Sequence, residues 1–200
     1  MNNNMFISIG SKCNVRHQIS KHFKYGETMF FDWLGTDMDT VNIILQTSDI
    51  TNYFSPCNII EEPNTLDASH ARLAIKNLPK CISVHDVRKN YNSRDIDTFI
   101  TKYKRRFDRL LQIIKSNNKL FFIRYGKIDN YQKELFIKTI LKINPNCNFV
   151  LISVKDEQPY NKIQKSNHYI EFNYKVKQVA DDWTTSWLDW DNIFKVLMET

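Results

Sequence analysis

The sequence predicts an α/β fold, a single three-layer domain with a mostly parallel central sheet flanked by helices. Three observations carry this. The runs "KLFFIRYG" (119–126) and "NFVLISV" (148–154) are almost continuously apolar, the pattern of strands covered on both faces. Between and around them lie stretches of helical period. The clearest is 97–115, where Phe99, Tyr103, Phe107, Leu110 and Ile114 recur at three- and four-residue spacing. A chain of 200 residues, 42% of them hydrophobic, is enough for one well-filled core.

The elements follow in order. Residues 1–4 read as a disordered N-terminus and 5–200 as the domain. Phe6–Ile9 is a short buried strand stopped by Gly10. Ser11 is placed to cap a helix with Val15, Ile19 and Phe23 on one side, ended by Gly26. "MFFDWLG" (29–35) is too apolar for an exposed loop and reads as a buried strand or turn. Asp37 caps a helix bearing Met38, Val41, Ile44 and Leu45. Residues 49–80, broken by Pro56, Pro63 and Pro79, read as an irregular excursion. "CISVHD" (81–86) alternates like a strand, with Ile82 and Val84 expected inward. Within the long helix, Arg106 lies at the border of the apolar stripe and can reach inward, whereas Arg105 cannot. Asp129, with Gln132 in the capping-box position, starts a helix reaching about 143. "HYIEFNY" (168–174) is a further strand and "WDNIFKVLM" (190–198) a closing amphipathic helix. Covered strands joined by crossover helices imply a Rossmann-like arrangement.

Composition narrows the function classes. Lys and Arg number 28 against 22 Asp and Glu, a net charge of +6, which permits an anionic partner without requiring one. Nucleic acid is not an expected partner, because "KYKRRFDR" lies on an amphipathic helix whose charged face is a solvated one. No apolar run approaches the roughly 20 residues needed to span a bilayer. Cys13, Cys57, Cys81 and Cys147 are scattered, without zinc-type spacing, and the N-terminus lacks a secretory leader. These features predict a cytoplasmic, intracellular chain with reduced thiols, with no metal and no cofactor. Nothing in the sequence fixes the oligomeric state.

Several residues can carry chemistry. With Ser11 as the cap, Cys13 falls in the first helical turn, where the dipole and free amides favour a thiolate and can hold an oxyanion. The plain alternative is a small packed side chain. A nucleophilic thiol needs a base. His17, four residues on, shares its helix face, but His85, ending a strand beside Asp86, is the preferred one. Asp86 or the buried Asp32 would orient it. Arg106 and Arg124 could converge on an anion, or pair structurally with Asp32 or Asp86. "IGSKC", between strand and helix, has the position of a phosphate loop, with Ser11 and Lys12 at hand, but only one glycine. A sheet of this kind places ligands at the carboxyl ends of its strands, where Cys13, His85 and Arg124 all fall.

The ordered set "SIGSKC", "FFDWLG", "HD" (85–86), "KYKRRFDRLL" and "KLFFIRYG" resembles a bacterial and viral family of domains of unassigned function, described as papain-like cysteine peptidases. The likeness runs over about residues 5–155. It implies Cys13 as nucleophile, His85 as base and Asp32 or Asp86 as acidic partner, and it brings a papain-like α+β fold as the alternative architecture. The leading expectation is a cysteine-dependent hydrolase or acyl-transfer enzyme acting on a peptide or small molecule, an anionic one included. The alternatives are a Rossmann-like transferase or binding domain holding a phosphorylated or nucleotide-sugar ligand on Arg106 and Arg124, and a non-catalytic interaction module.

Overall fold

In a computed structural model the described residues are 4–23, 27–63, 69–158, 160, 162–175 and 182–200. The central sheet has five strands. Four run parallel: β1 (Asn4–Ser8), β6 (Lys119–Tyr125), β7 (Asn148–Lys155) and β9 (Tyr169–Asn173). The edge strand β8 (Lys162–Ser166) is antiparallel to β9, giving the order β1-β6-β7-β9-β8. The mostly parallel sheet flanked by helices is therefore as the apolar runs predict. The first strand begins at Asn4, within the segment expected to be disordered; residues 1–3 and Gly26 lie outside the described residues.

Successive strand residues face opposite ways, so the sheet builds two cores. Phe6, Phe121, Ile123, Val150, Ile152 and Phe172 meet α1 (Asn14–His22) through Val15 and Ile19, and α5 (Trp190–Met198) through Ile193, Phe194 and Leu197. On the other face, Ile7, Leu120, Phe122, Phe149 and Leu151 meet α2 (Met38–Gln46), α3 (Ser93–Ile114) and α4 (Asn130–Ile143). The expected caps hold for two of these helices: Asp37 accepts from the Thr40 amide, and Asp129 forms a capping box with Gln132.

A second, antiparallel sheet was not legible in the sequence. Its order is β2 (Leu34–Thr36), β5 (Cys81–Ser83), β4 (Arg72–Ile75), β3 (Ile59–Glu62). The excursion at 49–80 thus supplies two of its strands. In β5 the facing is the reverse of the expected one: Cys81 and Ser83 are buried, while Ile82 and Val84 are half-buried. Burial of Ser83 is tolerated because its hydroxyl has a partner in Asp86.

The two sheets meet at the carboxyl ends of β1 and β6. The Arg124 guanidinium, at the end of β6, donates Nη1 to Ile9 O at 3.1 Å and Nη2 to Thr36 O at 2.9 Å. Gly10 sits against the same Thr36 with φ of +77°, and a Cβ there would lie 1.8 Å from Thr36 Oγ1. Only glycine allows the loop after β1 to pass this close to β2.

Candidate active site

The loop after β1 turns through two left-handed residues, Gly10 (φ +77°) and Ser11 (φ +78°), before entering α1. This moves the helix start, so that Cys13, rather than the expected Ser11, is the N-cap residue, with helical φ and ψ of −72° and −12°. The Cys13 thiol makes no capping bond, and the Val15 amide instead donates to Asn14 Oδ1 at 2.9 Å. Among the described residues, no group accepts a hydrogen bond from the amides of Ser11, Lys12 or Cys13. They remain available donors at the end of a helix.

Two segments distant in sequence, those of Asp32 and Asp86, act on the half-buried Cys13. Burial first, then the charges of Asp86 and Asp32, push its thiol up to about 11. The expected helix-start thiolate is corrected here: near neutral pH this thiol is protonated, because burial and two carboxylates outweigh the first-turn dipole. Among the described residues no hydrogen bond joins the Cys13 thiol to a histidine.

Asp86 is a hub. Its Oδ2 accepts from Ser83 Oγ at 2.6 Å and from the Tyr103 hydroxyl at 2.6 Å, and its Oδ1 pairs with Lys102 Nζ at 2.5 Å. Burial raises its pKa, but the bonds from Lys102, Ser83 and Tyr103 outweigh burial and hold it below the usual carboxylate range. These donors, not His85, engage the carboxylate. His85 lies beyond the end of β5, exposed, its ring 6.4 Å from those of Trp33 and His70. Asp86 therefore fixes the loop that carries His85 rather than the imidazole itself.

Asp32 is 1% exposed and pairs with Arg16 Nε at 3.2 Å while accepting from the Met29 amide at 2.8 Å. Burial nevertheless lifts it to about 6, against the opposing effects of Arg16, Met29 and Arg106. Its Oδ1 is buried without a hydrogen-bond partner, as is Nη1 of Arg106. Arg106 does reach inward, lying over the Tyr103 ring at 5.0 Å. Arg124, engaged by the carbonyls of Ile9 and Thr36, has two of its three nitrogens taken, and burial lowers its pKa to about 10. The two arginines serve different surroundings: one faces the Asp32 cluster, the other ties the two sheets together.

Residues 4–176 match the sequence profile of the family described as "Putative papain-like cysteine peptidase (DUF1796)". The chain belongs to this family. It is also similar to "Uncharacterized protein R408" of Acanthamoeba polyphaga mimivirus, at 26% identity over 220 aligned positions that cover 96% of this chain and 97% of the relative. No solved structure matches the chain. The match takes in all five motif segments, and the fold brings four of them, those of Cys13, Asp32, Asp86 and Arg106, to one place.

The sequence left several neighbours unassigned. Tyr103 reads as a core stripe residue, yet its hydroxyl holds Asp86; a tyrosine where phenylalanine would fill the stripe is the signal that a polar partner is needed. Lys102, Ser83 and Arg16 carry no such signal. Among the described residues no cluster of three or more metal-ligating side chains occurs, and no helix is long and apolar enough to cross a membrane.

The raised Asp32 pKa has a consequence for stability. The folded state holds this proton more tightly than the unfolded chain does. The contribution of Asp32 to stability is therefore fully present below the unfolded value of 3.8 and is lost as pH rises towards and through about 6. Ionisation of Asp32 costs on the order of 2–3 kcal/mol by pH 7. Denaturant midpoints measured between about pH 4.5 and 7 should fall with rising pH, and Asp32→Asn should flatten the slope. A midpoint that rises across this window contradicts the assignment.

Proposed function

We propose that this family member is a cysteine-dependent hydrolase or acyl-transfer enzyme with Cys13 as nucleophile and His85 as general base. One observation carries the reading. The Cys13 thiol lies within the electrostatic reach of Asp32 and Asp86, two carboxylates from distant segments, and His85 directly precedes the second of them in the chain.

The raised thiol pKa determines how such a reaction runs. There is no resting thiolate to attack, so proton removal accompanies bond formation. As Sγ bonds to the carbonyl carbon, its proton passes to a His85 ring nitrogen and the carbonyl π pair moves to oxygen. The unpartnered amides of Ser11, Lys12 and Cys13 suit that oxyanion. On collapse the leaving group departs with the proton from His85, and water then cleaves the thioester by the same route. Asp86, locked by three donors, positions the His85 loop.

Cys13→Ser should reduce hydrolysis of p-nitrophenyl esters and of short peptide amides by at least about 10³-fold while leaving the thermal midpoint in place. Turnover retained by the serine variant rules the reading out.

A second reading, a binding or transferase domain for a phosphorylated or nucleotide-sugar ligand, is favoured by the same loop amides together with the exposed Lys12. It makes Cys13 structural. In that case nucleotide sugars raise the melting temperature and Cys13→Ser leaves the shift unchanged.

A further inference from the structure

Trp183 stands outside the segment matched by the family profile, which ends at residue 176. The residue is 55% exposed, yet the chain on both sides of it is pinned. The Asp182 carboxylate accepts from the amides of Thr184 at 3.0 Å and Ser186 at 2.9 Å, and from both their hydroxyls. Gln18, buried on α1, donates to Thr184 O at 2.8 Å, and Asn14, one turn earlier, donates to Thr185 Oγ1 at 3.4 Å. The Trp190 indole closes the turn on Thr185 O at 3.0 Å. Two buried polar residues of α1 thus hold this turn, and Thr185 takes a left-handed φ of +55° within it. An indole displayed by a rigid turn gives up little conformational freedom when a ligand covers it.

The indole packs against α1, the helix that Cys13 caps. The Trp183 ring meets His17 nearly edge-on, with centroids 5.1 Å apart and planes at 67°. His17 is one helical turn after Cys13, and its amide donates to Cys13 O at 3.0 Å. Helical side chains lean towards the N-terminus, so His17 leans towards the Cys13 turn and Trp183 stands against it.

We propose that Trp183, backed by His17, is a specificity-determining wall that takes an apolar or aromatic group of the substrate beside the bond attacked by Cys13. This rests on the reading of Cys13 as the reacting group. Tryptophan supplies a large flat area for such a group, and edge-to-face backing by His17 fixes its plane.

The test compares alkylation of Cys13 by N-benzyl iodoacetamide and by iodoacetamide at about pH 9, where some of the thiol is ionised. The exposed Cys57 of the same chain is the internal reference. The benzyl-to-plain rate ratio at Cys13 should exceed that at Cys57 by about threefold to tenfold. Trp183→Ala should bring it to the Cys57 value without changing labelling by iodoacetamide, and Trp183→Phe should keep most of it. No excess at Cys13 overturns the proposal, and so does an excess that survives Trp183→Ala. Because the readout is labelling, a chain that shows the preference but turns over no ester fails the hydrolase reading and not this one.

Discussion

Replacing Asp86 by alanine is expected to lower stability by about 3 kcal/mol, read from denaturant unfolding. The side chain is 8% exposed and accepts three hydrogen bonds. Its removal leaves the Tyr103 hydroxyl and the Ser83 hydroxyl buried without an acceptor. The Lys102 ammonium, 23% exposed, can recover some hydration, which keeps the loss at the lower end for a broken buried pair. Asp86→Asn keeps an acceptor oxygen and should cost less. It also removes the larger of the two negative charges acting on Cys13, so the thiol pKa should fall below about 11. An alanine variant as stable as the parent would show that the three hydrogen bonds do not hold the loop.

His85→Ala is expected to behave in the opposite way. The residue is exposed and makes no hydrogen bond among the described residues, so stability should change by less than about 0.5 kcal/mol. Loss of the general base should lower kcat by about 10²–10⁴-fold. His17→Ala, by contrast, should affect the choice of substrate more than kcat. Equal turnover in the His85 variant and the parent would leave the base to another group.

The pair of variants shows what the sequence could and could not convey. Strands β6 and β7 were readable because their runs are apolar on both faces. Strand β8 was not, because all five of its residues are exposed and no burial pattern marks it. In the three-residue β5, alternation cannot say which side is inward; the approach of Tyr103 and Asp86 decides it. The site segments were legible as an ordered set of motifs, and four of them do converge. Their chemistry was less legible. A cysteine at a helix start suggests a thiolate, but the charge state depends on which carboxylates the fold brings near it, and Asp32 and Asp86 come from elsewhere in the chain. The arginines make the same point. Arg106 and Arg124 look equivalent in sequence, yet Arg124 is taken up by two backbone carbonyls at the seam between the sheets.

On this mechanism Cys13 becomes acylated during turnover. The direct measurement mixes the chain with a p-nitrophenyl ester, quenches in acid within the first turnover, and maps the added mass by peptide mass spectrometry. One acyl group is expected as a thioester on Cys13, absent in Cys13→Ser and cleared more slowly in His85→Ala. Turnover with no adduct at Cys13, or with the acyl group on Cys57 instead, would contradict it.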